Sequence, residues 1–363
     1  MKLSCSKDDL ARALSICAKM VKTRVTLPVL SNIMIASDKD RIKLVATDLE
    51  SSVSVWIDGK IDEEGAITLP ARTFLEYVQS AGGATIKIDV ENQDARLIGE
   101  GNNATIKGIA ADEFPVIAPI KNENPFQIEA NTLKEAILSV SSAAALDETR
   151  PVLAGLLFVG KKSLKIVATD SYRLAEYTLK LKSPIEFQAI LPQRTVLELA
   201  RILPQDSTPV EISSGENQVK FSCGDIFFLT RQIEGNFPDY EQIIPKDFVY
   251  QFNAPKEKFI EALKVANIFA RESGNNIKLE GAESKVLLSA VSAQTGDSQA
   301  TVNAVTTGTG LTISFNAKFL LDGISAIGKE EIKMQFSGPL SPGLLTGEGD
   351  SSFRYVIMPL RSE

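Results

Sequence analysis

The sequence repeats itself, and the length of the repeat limits what the chain can fold into. Ala46-Thr47-Asp48, which follows the apolar run Ile42-Lys43-Leu44-Val45, returns as Ala168-Thr169-Asp170 after Leu164-Lys165-Ile166-Val167, 122 residues later. Leu69-Pro70-Ala71-Arg72-Thr73 returns as Leu191-Pro192-Gln193-Arg194-Thr195 at the same offset. Thr26-Leu27-Pro28-Val29-Leu30 matches Thr149-Arg150-Pro151-Val152-Leu153, and Phe114-Pro115 matches Phe237-Pro238, both at 123. A third copy is fainter: Ile313-Ser314-Phe315-Asn316-Ala317-Lys318 resembles Ile67-Thr68-Leu69-Pro70-Ala71-Arg72. Three spans of 121 fill all 363 residues. A unit of that length buries a core of its own, which a solenoid repeat of about 20–50 residues does not. The chain therefore reads as three similar domains, 1–121, 122–247 and 248–363, with boundaries in polar, Pro-containing stretches.

Each copy has the same rhythm. A short strand such as residues 1–5 leads into a helix. Ser6 is placed to cap it, with Asp8 and Asp9 in the first turn, where carboxylates meet the positive end of the helix dipole. Leu10, Leu14, Cys17 and Val21 fall at helical spacing, as do Leu133, Ala136, Ile137 and Val140, and again Phe259, Leu263, Ala266 and Ala270. Alternating strands follow, and a second helix comes mid-domain, near Arg72, Arg194 and Lys318. The fold class is α+β, with two helices and several antiparallel strands per domain. The six helices are expected over 6–24, 70–81, 131–146, 192–203, 255–272 and 316–329.

Composition removes several functions. There is no histidine, so a Ser-His-Asp or Cys-His mechanism is impossible, and the commonest metal ligand is missing. No phosphate-binding loop, dinucleotide fingerprint or Cys/His metal cluster is present, and neither a cofactor nor catalysis is expected. Asp48 and Asp170 fit turn caps better than catalytic carboxylates. Cys5, Cys17 and Cys223, without CxxC spacing, suit reduced thiols. No signal peptide and no membrane-length apolar run is expected, and the expected location is the cytoplasm.

The net charge of −7 argues at first against nucleic acid. Its distribution reverses that. The six helical windows hold 15 basic and 9 acidic residues, a surplus of six, which leaves −13 elsewhere. Arg72, Arg194 and Lys318 put a basic residue at the matched position of all three copies, where packing has no use for one. A phosphate backbone needs only such a local positive face.

These segments, together with Tyr172-Arg173-Leu174, Asn236-Phe237-Pro238-Asp239-Tyr240 and the terminal Tyr355-Val356-Ile357-Met358-Pro359-Leu360-Arg361, resemble the bacterial DNA polymerase III sliding clamps (beta subunits) over essentially the whole chain. The resemblance implies the DNA clamp fold, with three domains per chain and a head-to-tail homodimer closed into a six-domain ring around duplex DNA. It implies a processivity factor that tethers the replicative polymerase and serves the clamp loader and other partners through a peptide pocket. By resemblance, Arg12, Arg24, Arg72, Arg194 and Lys318 face DNA. The pocket comprises Arg150, Leu153, Thr169, Tyr172, Arg173, Leu174, Pro238, Ile243, Leu340, Val356, Ile357, Met358, Pro359, Leu360 and Arg361. Its apolar members would hold Leu or Phe side chains, and its Arg and Thr groups would donate to peptide carbonyls and a Gln side chain. Ile106, Ile268 and Phe269 are assigned to the dimer interface, where edge strands would pair.

Departures from the family pattern fall on the pocket's polar edge. Ser171 stands where Gly is frequent, Gln242 where many clamps carry a base, and Pro342 at a position often Ser. Ser362 and Glu363 extend past the usual end. The rival to a DNA clamp is a scaffold of repeated α+β domains that does not bind DNA.

Overall fold

A computed structural model describes residues 1–22, 27–117, 123–147, 149–308 and 310–360. All six expected helices form, each starting within one residue of its expected position. They are α1 (Lys7–Ala18), α2 (Ala71–Ser80), α3 (Ala130–Ser141), α4 (Gln193–Ile202), α5 (Lys256–Ala270) and α6 (Ala317–Ala326). Ser6 caps α1 as expected, accepting from the Asp9 N–H at 3.4 Å. Leu10, Ala13, Leu14 and Cys17 form its buried face. On α2 the buried face is Ala71, Phe74 and Val78.

The helices end earlier than expected, and this changes the charge argument. Within the observed bounds they carry ten basic and eight acidic residues, a surplus of two rather than six. Lys19, Lys22, Arg271 and Lys329 all lie beyond the ends of the α-helices. Lys22 is paired with Asp48 at 2.7 Å. Periodicity cannot see such ends, because the apolar spacing continues into the turn that follows: Met20 is still buried.

The chain divides into two compact units, residues 1–131 with 198–232, and residues 132–197 with 233–363. These units do not coincide with the sequence repeats, because sheets run from one repeat into the next. In the first unit, the Ser51–Glu63 strand of repeat one pairs antiparallel with the Ile226–Arg231 strand of repeat two, Ser52 opposite Leu229. In the second unit, Arg173–Lys180 of repeat two pairs with Phe353–Ile357 of repeat three, Leu174 opposite Val356. The two seams are built alike. Each joins the strand after an Ala-Thr-Asp turn to a late strand of the following copy.

The Ala-Thr-Asp segments are turns. Asp48 Oδ1 accepts from the N–H groups of Glu50 and Ser51 at 3.1 and 2.8 Å, and the Thr47 hydroxyl donates to the Ser51 carbonyl at 2.7 Å. Asp170 Oδ1 accepts from Tyr172 and Arg173 at 2.9 and 3.0 Å, and Thr169 donates to the Arg173 carbonyl at 2.7 Å. In the third copy Ser292 Oγ accepts from the N–H groups of Gln294 and Thr295 at 3.3 and 3.2 Å. The turn persists there with the Asp lost, which explains why that copy is faint in sequence.

Among the strands that end their sheets with one side unpaired, two occupy places equivalent to the seam strands. Asn102–Lys107 closes the thirteen-stranded sheet of the first unit, and Gly296–Asn303 closes the four-stranded sheet of the second. Among the described residues, no helix is long and apolar enough to cross a membrane.

Candidate functional site

The second seam gathers most of the expected pocket. Its floor is one apolar cluster in which Leu174 and Val356 meet Leu157, Val167, Ile190, Tyr240 and Leu344, with Ile243 packed against it. Above this floor Tyr172 and Leu340 stand 62% and 74% exposed, an unusual position for such large side chains. Pro238 is also exposed, while Met358, Pro359 and Leu360 are half-buried. The segment is pinned on both sides: the Met358 N–H donates to the Tyr172 carbonyl at 2.9 Å and the Leu360 N–H to the Ser314 carbonyl at 2.8 Å. Leu153 and Ile357 are buried. Ile357 belongs to the seam strand, opposite Arg173. Arg361 lies outside the described residues.

The polar edge is tied into the fold by its own side-chain bonds. Thr169 is buried, and its hydroxyl proton already goes to the Arg173 carbonyl. Arg173 is buried as well, with Nε on Asp170 at 3.0 Å and Nη1 on Asp322 at 2.5 Å. Its guanidinium lies 4.1 Å from the ring centre of Phe319. Burial works against that charge, but the Tyr355, Asp322 and Asp170 contacts outweigh it and hold the group above its ordinary value. Both residues therefore help to brace the site. Arg150 is exposed and donates to the Ser171 hydroxyl at 3.3 Å, which places an exposed cation at this edge. Ser171 has φ +79°, the left-handed conformation that glycine adopts freely, which is the physical reason Gly suits that position. Gln242 is held by Asp239 at 2.5 Å.

An ionic cluster centred on one buried acid supports the floor, and the sequence offered no sign of it. Glu176 is fully buried and accepts from the Tyr240 hydroxyl at 2.9 Å. It pairs with Lys165 at 3.2 Å and with Arg354. Burial first, then the Glu176 charge, pushes the Tyr240 hydroxyl well above its ordinary value, so it remains a donor. Asp322 and Tyr355, which hold Arg173, also went unassigned; Asp322 has no neighbour in sequence that marks it.

The expected DNA-facing residues are exposed wherever they are described: Arg12 on α1, Arg72 on α2, Arg194 on α4 and Lys318 on α6. Arg24 lies outside the described residues. Arg72, Arg194 and Lys318 share one placement, the second residue of α2, α4 and α6. A cation there opposes the helix dipole, at roughly 0.3–1 kcal/mol, so helix stability does not account for it. Arg72 is offset by Glu76 one turn on, at 2.7 Å.

Of the expected interface residues, Ile268 is 60% exposed on α5 and Phe269 beside it is half-buried. Ile106 is buried on the edge strand Asn102–Lys107, its side chain in the core while its backbone edge is unpaired. Strand pairing at that edge would run through backbone groups, a role that burial of the side chain does not preclude. Among the described residues no group of acids and thiols is arranged to hold a metal.

Profiles of the DNA polymerase III beta subunit match the chain in order: the N-terminal domain over residues 1–118, the central domain over 127–239 and the C-terminal domain over 241–361. The chain is 31% identical to a beta sliding clamp of Staphylococcus aureus over 375 aligned positions, covering all of both proteins. A DNA polymerase sliding clamp structure from Bacillus subtilis superposes on all of the chain with a TM-score of 0.95 at 30% identity. The beta subunit structure from Streptococcus pyogenes does so at 0.95 and 27%. The chain belongs to the DNA polymerase III beta subunit family, the bacterial beta sliding clamps.

Proposed function

We propose that the chain is a processivity factor. Two copies close head to tail into a ring of six domains, three per chain, around duplex DNA, and the ring holds the replicative polymerase by a peptide docked at the Leu174–Val356 seam. It works in the cytoplasm, catalyses no reaction and needs no cofactor. The observation that carries the DNA reading is the exposed cation at the second position of α2, α4 and α6, set against the helix dipole in all three copies. Such contacts are sequence-independent and salt-sensitive, which suits a protein that must slide.

Ring closure follows from the seams. Each internal seam pairs a strand after the turn with a late strand of the next copy. Gly296–Asn303 and Asn102–Lys107 are the corresponding strands left unpaired at the two ends of the chain. Transferring the Ser51–Thr230 register sets Ile106 of one protomer opposite Gly296 of the other. Exposed Val265 and Ile268 on α5 supply apolar area beside that joint. A heterologous contact of this kind closes into a ring when its rotation permits.

The test is primer extension on a long single-stranded circle by a matched replicase and loader. Adding the chain should lengthen the product made per binding event many-fold. Equal lengths with and without it would refute the reading.

A further inference from the structure

We infer that the first seam carries a second peptide pocket, which takes an extended segment bearing one bulky apolar side chain beside a single carboxylate. The inference rests on the reading that the second seam docks peptides, and it extends that reading to a site with different chemistry.

A cavity of about 400 Å³ opens at the first seam. Its walls are the repeat-mates of the second-seam pocket. Thr47 corresponds to Thr169, and the turns around them are bonded alike. Ser52 and Leu229 correspond to Leu174 and Val356, the facing pairs of the two seams. Pro115 corresponds to Pro238. Arg231 corresponds to Met358, because the Arg231 N–H donates to the Glu50 carbonyl at 2.9 Å just as Met358 donates to Tyr172. The duplication has therefore produced two pockets on one plan.

Their differences set the ligand. Leu49 takes the place of Ser171 and is 46% exposed at φ +76°, a conformation that a leucine side chain disfavours. Val116 is 95% exposed. Two large apolar side chains thus stand in water at a cavity that an apolar ligand group would cover. Arg231 puts an exposed cation where the other pocket has Met358, and Glu50 adds one acid. One charge of each sign admits a peptide with a single acidic residue and disfavours a polyacidic one.

The probe is a dye-labelled synthetic peptide of about nine residues, carrying Asp-Leu-Phe and no other charge. It is titrated calorimetrically into the intact protein and into variants altered at exposed positions. The wild type should bind two per chain. Leu49→Gly with Val116→Asp should bind one, and Leu340→Asp should also bind one. Glycine relieves the left-handed backbone, so Leu49→Gly alone should keep or raise Tm while weakening the added site at least tenfold, which separates loss of the pocket from loss of the fold. One peptide per chain, abolished by Leu340→Asp and indifferent to Leu49→Gly, overturns the inference. Binding that responds to Leu49→Gly but not to Leu340→Asp supports it and refutes peptide docking at the second seam.

Discussion

Arg173 Nη1 donates to Asp322 Oδ2 at 2.5 Å, tying a strand of the second repeat to α6 of the third. Arg173 precedes Leu174 of the apolar floor, and its guanidinium is also held by Asp170 and Tyr355. Asp322→Ala leaves a buried cation with one acid instead of two. Because Asp322 is partly exposed, the loss should be about 2 kcal/mol, below the range for a fully buried pair. Denaturant unfolding of the variant checks this, and peptide affinity should fall with it, since Arg173 shapes the Tyr172 turn.

Arg72→Glu, Arg194→Glu and Lys318→Glu together should weaken binding to duplex DNA and flatten its salt dependence by about three in log–log slope per chain, one for each phosphate no longer neutralised. Helical content should hold, because each acid would then favour the dipole at its helix N-terminus. An unchanged slope would mean that these positions do not meet phosphate.

Truncation after Met358 should abolish binding of polymerase-derived peptides while leaving the dimer intact. The cut must spare Ile357, which is buried in the seam strand and pairs with Arg173. Loss of the dimer would make the tail structural. Analytical ultracentrifugation and peptide titration on the same sample separate the two outcomes.

Asp48 should contribute acid-dependent stability. Burial raises its carboxyl, but bonds from Lys22 and Ser51 outweigh this and leave it below its ordinary value. A depressed carboxyl stabilises fully above its unfolded value near 3.8, and that contribution is lost as pH falls through the lower folded value. Asp48→Asn should therefore cost about 1 kcal/mol at neutral pH and show a shallower loss of stability below about pH 4. Unfolding curves between about pH 7 and about pH 2.5 provide the comparison.

What could be read from sequence was local or repeated. Helix starts follow from caps and apolar spacing, as at Ser6, and the Asp48 and Asp170 turns follow from residue type. Strand pairing between repeats was not legible, because Ser52 and Leu229 meet only through a long-range register that no local pattern encodes. The ion pair that holds Arg173 was not legible for a related reason: its partner Asp322 lies 149 residues away. The helical charge surplus was overstated because apolar spacing runs past the true helix ends, past Ala18 in the first copy.

The most direct measurement is retention on DNA of defined topology. The protein is loaded onto nicked circular duplex, the free protein is removed, and the amount bound is followed before and after one enzymatic cut. A ring held by topology and weak cationic contacts should stay on the circle through a moderate-salt wash and leave within seconds of linearisation. Equal retention on circle and line, or equal loss from both, would contradict it.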